Sequence, residues 1–228
     1  QSICNGPIIN RRYQRTSNLC SQLARKPRRV AGKLGAQIAS PLVTAIDDGT
    51  IPNGWGSANM DDEGTPTRRN VLIENGILKT YLVDRMNGRK MGAAVTGSAR
   101  RQNYRFAPTS RMTNTFLAPG TSLPKDIIAD TSYGLYAKQM GGGSVDPATG
   151  SFNFAVLEAY LIRDGKICEP VRGATLIGKG AEVLMQIDRV GNNLKRAQGM
   201  CGSISGSIPT DVGQPMIRVK EMTVGGRG

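Results

Sequence analysis

The apolar positions of this chain fall into short alternating runs separated by turn residues. Arg69 to Asp84 reads RNVLIENGILKTYLVD, two β-prone runs on either side of Glu74-Asn75-Gly76. Asn-Gly accepts positive φ at both central positions of a tight turn, so this stretch predicts a hairpin. A second hairpin is expected over Phe152–Ile162, turning at Asp164-Gly165 and returning through Lys166–Cys168. A last strand is expected over Met216–Val224.

Two segments carry a longer period. Ser122-Leu123-Pro124 offers a cap and a first-turn proline, and Ile127, Ile128 and Leu135 follow at near-helical spacing. That pattern predicts a helix ending by Gly141. Val183, Leu184, Ile187 and Val190 form one stripe over Ala181 to Val190, with Gly191-Asn192 as the stop. Hairpins outnumber helices. The expected fold class is α+β, mainly antiparallel β-sheet built of hairpins with a few short helices.

With 228 residues, 39% of them hydrophobic, the chain can bury a core. No apolar run reaches the ~18 residues of a membrane span, and no charged-then-apolar leader is evident. The chain opens on Gln1 instead of Met, so it reads as a fragment. Cys4, Cys20, Cys168 and Cys201 form no C-x-x-C pair, and they are sparser than in a secreted disulfide scaffold of this size, so a reducing, cytoplasmic compartment is expected.

The formal charge of +13 is uneven. Arg11, Arg12, Arg15, Arg25, Lys26, Arg28, Arg29 and Lys33 precede the first carboxylate, Asp47. Such an arm could bind phosphate backbones by counterion release. Tyr13 is its one stacking aromatic, so a basic nucleic-acid-binding protein ranks last among the functional readings. Residues 1–30 form an atypical basic segment, expected to be disordered or non-native, and residues 31–228 form the recognisable domain. The chain contains no histidine. Ser-His-Asp and Cys-His nucleophiles, and any His-ligated metal within the chain, are thereby excluded.

Several motifs reduce to plain structure. Gly173 to Gly180 nearly spells a phosphate-binding loop, but Gly180 stands where a magnesium-binding Ser or Thr is required, so a glycine turn entering the second helix is expected. Asp47-Asp48-Gly49 and Asp61-Asp62-Glu63-Gly64 lack calcium-loop spacing and read as solvated turns. Gly141-Gly142-Gly143-Ser144 could end a helix or line a peptide or anion site. Cys201, set between Gly199 and Gly202, is expected on a loop that presents its sulfur.

A set of strings occurs in a characteristic order: Ile46-Asp47-Asp48-Gly49-Thr50, Asp61-Asp62-Glu63-Gly64-Thr65-Pro66, Val71-Leu72-Ile73-Glu74-Asn75-Gly76, Arg111-Met112-Thr113-Asn114-Thr115, Gly141-Gly142-Gly143, Val171 to Gly178, Met200-Cys201-Gly202 and Thr223-Val224-Gly225-Gly226. Over about residues 30–227 the chain resembles the C-terminal region of TldD-type subunits in the TldD/PmbA family. The resemblance implies a zinc metallopeptidase that cleaves unfolded peptides, pairs with a PmbA (TldE)-type subunit or self-associates, and has links to peptide-antibiotic maturation and DNA gyrase modulation. In that family zinc is held by the two histidines of an H-E-x-x-x-H helix and a downstream cysteine, which by motif match is Cys201. The same recurrence suggests Arg111, Thr113, Asn114, Gly141, Gly142 and Gly143 as peptide-site lining.

The chain departs from the family where the chemistry matters most. The window that should hold H-E-x-x-x-H, about Arg11 to Ser21, reads RRYQRTSNLCS. A single thiolate cannot hold a catalytic zinc, which takes three protein ligands plus water. The expectation is a chain that does not bind zinc alone and does not hydrolyse peptides, with no catalytic residue of its own. Truncation or a frameshift just upstream of the domain would account for it, and the other two reading frames should then contain the missing motif. The alternative is a non-catalytic scaffold that binds a partner or receives unfolded peptide by strand addition.

Overall fold

The computed structural model describes residues 5–10, 32–146 and 149–226. The first eight strands are β1 (Asn5–Asn10), β2 (Ala45–Asp48), β3 (Arg69–Glu74), β4 (Ile77–Leu78), β5 (Ala99–Arg100), β6 (Thr109–Ser110), β7 (Asn114–Leu117) and β8 (Tyr133–Val145). They are followed by β9 (Ser151–Arg163), β10 (Lys166–Val171), β11 (Thr175–Lys179), β12 (Ile187–Val190), β13 (Lys195–Ser203), β14 (Gly206–Gln214) and β15 (Ile217–Gly225). The short helices are α1 (Arg85–Met91), α2 (Pro124–Ala129) and α3 (Gly180–Met185). The fold is α+β and mainly sheet, as the apolar pattern predicts.

Turn chemistry placed the hairpins correctly. Asn75 and Gly76 take φ of 49° and 83° between β3 and β4, and Asp164 and Gly165 take 47° and 72° between β9 and β10. Both turns therefore use the positive-φ geometry that suits the twist of paired strands. The predicted final strand is β15.

Strands β8 and β9 pair antiparallel along most of their length. β11 joins the first half of β9 to the end of β15. β1 lies parallel to β8 and antiparallel to β15, which closes these five strands into a ring. β10 continues alongside the second half of β9, and β12 alongside the first half of β15. The second sheet has the order β13-β14-β7-β2-β3-β4, with β14 parallel to β7. One large apolar cluster joins the sheets, uniting Ala45, Ile73 and Leu117 with Leu135, Phe154, Leu176 and Val219. A smaller cluster gathers Leu72, Leu82, Met112, Cys201, Ile208 and Val212.

Both helix expectations need shortening. The helix predicted to run from Ser122 to Gly141 stops at Ala129, where the Thr131 hydroxyl donates to the Ile127 carbonyl at 2.8 Å. From Tyr133 thirteen residues form β8, because β9 supplies a partner of equal length and burial of Leu135 in the large cluster outweighs helix propensity. The helix predicted to reach Val190 ends at Met185, and Ile187 and Val190 pair with Val219 and Ile217 of β15. Helix α1 carried no periodic signal. Asp84 caps it by accepting from Asn87 N at 2.7 Å, and Gly92 ends it at φ 61°.

Of the basic segment 1–30, residues 5–10 form β1, and the rest lies outside the described residues. Among the described residues no helix is long and apolar enough to cross a membrane.

Candidate functional site

The register of the second sheet brings the recognisable strings together. Asp47 of β2 sits opposite Thr115 of β7, and Asn114 opposite Asp211 of β14. Asp47 is fully buried. Its Oδ1 accepts from Thr113 N at 2.7 Å and Thr115 Oγ1 at 2.6 Å, and its Oδ2 accepts from Thr113 Oγ1 at 2.8 Å. Burial raises the Asp47 pKa, and these donors together with the Arg100 charge pull against that rise without cancelling it.

Asn114 ties β7 to the loop after β2. Its Nδ2 donates to the Asp48 carbonyl at 2.6 Å and Ser57 Oγ at 2.8 Å, while its Oδ1 accepts from Gly56 N at 2.9 Å. Gly56 is required there, since a Cβ would collide with the Thr113 carbonyl. The solvated-turn expectation for Asp47-Asp48 is therefore corrected: both sit on β2, with Asp47 inside and Asp48 accepting from Thr50 N at 2.9 Å. Asp61 is also buried. It accepts from Glu63 N and Thr65 N through Oδ1 and from Ala99 N through Oδ2, which pins β5 to that loop.

Arg111 is among the largest fully buried side chains. Its guanidinium donates to Ser205 Oγ at 2.6 Å, to the Gly206 carbonyl at 3.0 Å and to the Cys201 carbonyl. It thus clamps the β13–β14 turn from inside. Arg100 donates to the Met112 carbonyl at 2.7 Å, and its burial lowers its pKa although Asp47 opposes this. Asp211 Oδ2 accepts from Trp55 N at 3.2 Å and lies 3.7 Å from Arg196, whereas Asp211 Oδ1 is buried without a hydrogen-bond partner.

The structure places the predicted lining residues in two locations. Arg111 donates to the Cys201 carbonyl, whereas Thr113 and Asn114 bond to Asp47 and to the Asp48 carbonyl of β2. Gly141, Gly142 and Gly143 lie on β8 in the ring of strands, where a Cβ on Gly141 or Gly143 would meet β9 atoms and one on Gly142 nothing. They are strand residues and do not end a helix. Cys201 is not on a loop. It pairs with Ile208 inside the β13–β14 ladder, is 6% exposed, and packs in the smaller apolar cluster. Gly199 and Gly202 lie on the same strand, opposite Thr210 and Ser207. Gly173 does make a turn, at φ 72°, but the residues after it form β11 before α3 begins.

Sequence reasoning missed Asp47, Arg100, Ser205 and Asp211 as members of this cluster. A signal for Asp47 existed, because it follows Ala45-Ile46 and directly continues a strand-like run.

A zinc centre of the family type needs about three protein donors and an open position. The sequence offers no imidazole, and no group of three or more Cys, Asp or Glu is gathered for a metal among the described residues. Asp47 is turned to β7 donors, and Cys201 sits among aliphatic side chains. The described residues do not fit the metal. What this arrangement does is hold β2, β7 and the β13–β14 turn in fixed relation through a buried polar network.

A family model described as the PmbA/TldA metallopeptidase C-terminal domain matches residues 16–226. The chain belongs to the PmbA/TldA metallopeptidase family. Within this family, the metalloprotease TldD homolog of Buchnera aphidicola subsp. Schizaphis graminum is 52% identical over 192 residues, covering 83% of this chain and 40% of that protein. The TldD homolog of Haemophilus influenzae is 50% identical over 197 residues, covering 86% and 41%. A Saccharolobus solfataricus relative named a zinc metalloprotease TldD homolog is 33% identical, covering 73% and 37%. The chain therefore spans about 40% of the length of these relatives. The crystal structure of TldE from Thermococcus kodakarensis superposes with a TM-score of 0.77 at 26% identity, covering 97% of this chain and 50% of that one.

Proposed function

We propose that this chain is the C-terminal, catalytic-type domain of a TldD-like zinc metallopeptidase acting on unfolded peptides, and that it neither holds zinc nor hydrolyses peptides by itself. One observation carries this reading. Cys201, the position matching the family's cysteine ligand, has no imidazole in the sequence to join it and keeps its side chain in an apolar cluster. Arg111, Thr113 and Asn114 act in this reading as positioning residues that set the β7 and β13–β14 backbones, and Gly141 to Gly143 as a strand surface that could line a peptide site. The low density of cysteine, 4 in 228 residues, supports a cytoplasmic location.

The test is metal analysis and an unfolded-peptide assay on the purified chain. The expected result is substoichiometric zinc and no cleavage above the buffer rate. A tightly held stoichiometric zinc with zinc-dependent cleavage overturns the proposal.

The likeness to a TldE structure over nearly the whole chain favours a second role, a scaffold that pairs with a TldE-type subunit. Co-purification with such a subunit, without gain of peptidase activity, is the expected outcome. Failure to recover any complex counts against it.

A further inference from the structure

A shallow groove of about 380 Å³ opens between β3 and the loop after α1. Its floor is apolar: Val71 and Ala93 are half-buried there, and Leu34 at its end is 54% exposed. Its rim is cationic, with Arg68, Arg69 and Lys79 all exposed. Arg68 hooks the Val95 carbonyl, and Lys79 lies 3.3 Å from Glu74 in a half-exposed pair of the kind that exchanges readily with solvent and other anions.

The helix next to the groove adds charge of the same sign. Arg85, Arg89 and Lys90 of α1 are exposed, whereas Arg100 and Arg111 further along belong to the buried network described above. Arg89 and Lys90 lie in the last turn of α1, just before Ala93 and Ala94 at the groove. This basic stretch is separate from the one near the start of the chain.

A free inorganic anion does not match these features, because the three rim cations are hydrated and none is buried. A ligand that carries both apolar anchors and carboxylates does. We propose that the groove docks an acidic amphipathic segment of a partner protein, with apolar side chains on Leu34, Val71 and Ala93 and carboxylates on Arg68, Arg69 and Lys79. The apolar contact supplies affinity, and the charges supply register and discrimination against basic segments. The docking does not depend on catalysis, so it stands or falls apart from the peptidase reading.

Fluorescence anisotropy on the full chain tests it with three labelled peptides: an acidic amphipathic helix former, the same apolar pattern with Lys for Glu, and oligo-glutamate. The acidic amphipathic peptide should bind at least roughly tenfold tighter than either control, and weaken as salt shortens the Debye length from ~10 Å to ~3 Å. Arg68→Glu with Arg69→Glu should weaken binding roughly tenfold, and Ala94→Trp, which fills the groove without changing charge, by a similar factor. If the charge-reversed variant loses the wild-type circular dichroism spectrum, Ala94→Trp decides. Equal binding of the Lys peptide or of oligo-glutamate, equal competition by single-stranded RNA, or wild-type binding by a folded Ala94→Trp overturns the proposal.

Discussion

The two buried regions flanking β2 and β7 are held together by different physics. The large cluster between the sheets is built from aliphatic and aromatic side chains such as Ile73, Phe154 and Leu176. The region around Arg111 combines a small apolar cluster with a buried arginine, a buried aspartate and the backbone groups they satisfy. The first tolerates changes of shape as long as volume is kept. The second depends on chemistry as well as volume, because a lost donor strands an acceptor away from water.

The sharpest way to break this comparison is Arg111→Ala. It empties one of the largest buried side-chain volumes and orphans the carbonyls of Cys201 and Gly206, so a loss of about 3–5 kcal/mol is expected by urea denaturation. Thiol labelling of Cys201 should also speed up, because the β13–β14 turn loses its clamp. A loss below about 1 kcal/mol would show that the polar network contributes little. Ile73→Ala in the large cluster should cost about 3 kcal/mol, and Ile73→Val much less.

Asp84→Ala comes next, at about 1–2 kcal/mol, by removing the α1 cap and the bonds from Ser110 N and Oγ. Burial pushes the Asp84 carboxyl up, but donation from Asn87 and Ser110 outweighs it and leaves the pKa below the ordinary value. The stability Asp84 adds is therefore present above the ordinary carboxyl range and is lost as pH falls through the depressed value. The acid limb of a denaturation series should flatten in the variant.

Asp47→Asn should give the smallest change and the opposite sign. Folded Asp47 holds its proton above the ordinary carboxyl range, so the native state binds more protons in that window. Its contribution to stability thus falls as pH rises through the window. The Asn variant should lack that slope, and an unchanged slope would argue against the buried carboxyl as its source.

The legibility of the fold followed the range of the forces involved. Asn75-Gly76 and Asp164-Gly165 fix their turns through their own φ preferences, so both hairpins could be read locally. The stretch after Ala129 could not, because Leu135 fits a helical stripe and an inward strand position equally well until β9 is beside it. At the candidate site, the string containing Arg111, Thr113 and Asn114 leads into β7. Which side chains face Asp47 and which carbonyls Arg111 reaches depends on partners more than 60 residues away in sequence.

By itself the sequence determined the strand-rich class, the two hairpin turns, the family, and a donor set without imidazole. Those properties are local or compositional, and no packing can alter them. The tertiary structure alone decided that Cys201 sits in a strand interior, that Asp47 is buried, and that β1, β8, β9, β11 and β15 close on themselves. Burial and register are set by what lies across space, and a residue's own chemistry does not specify its neighbours.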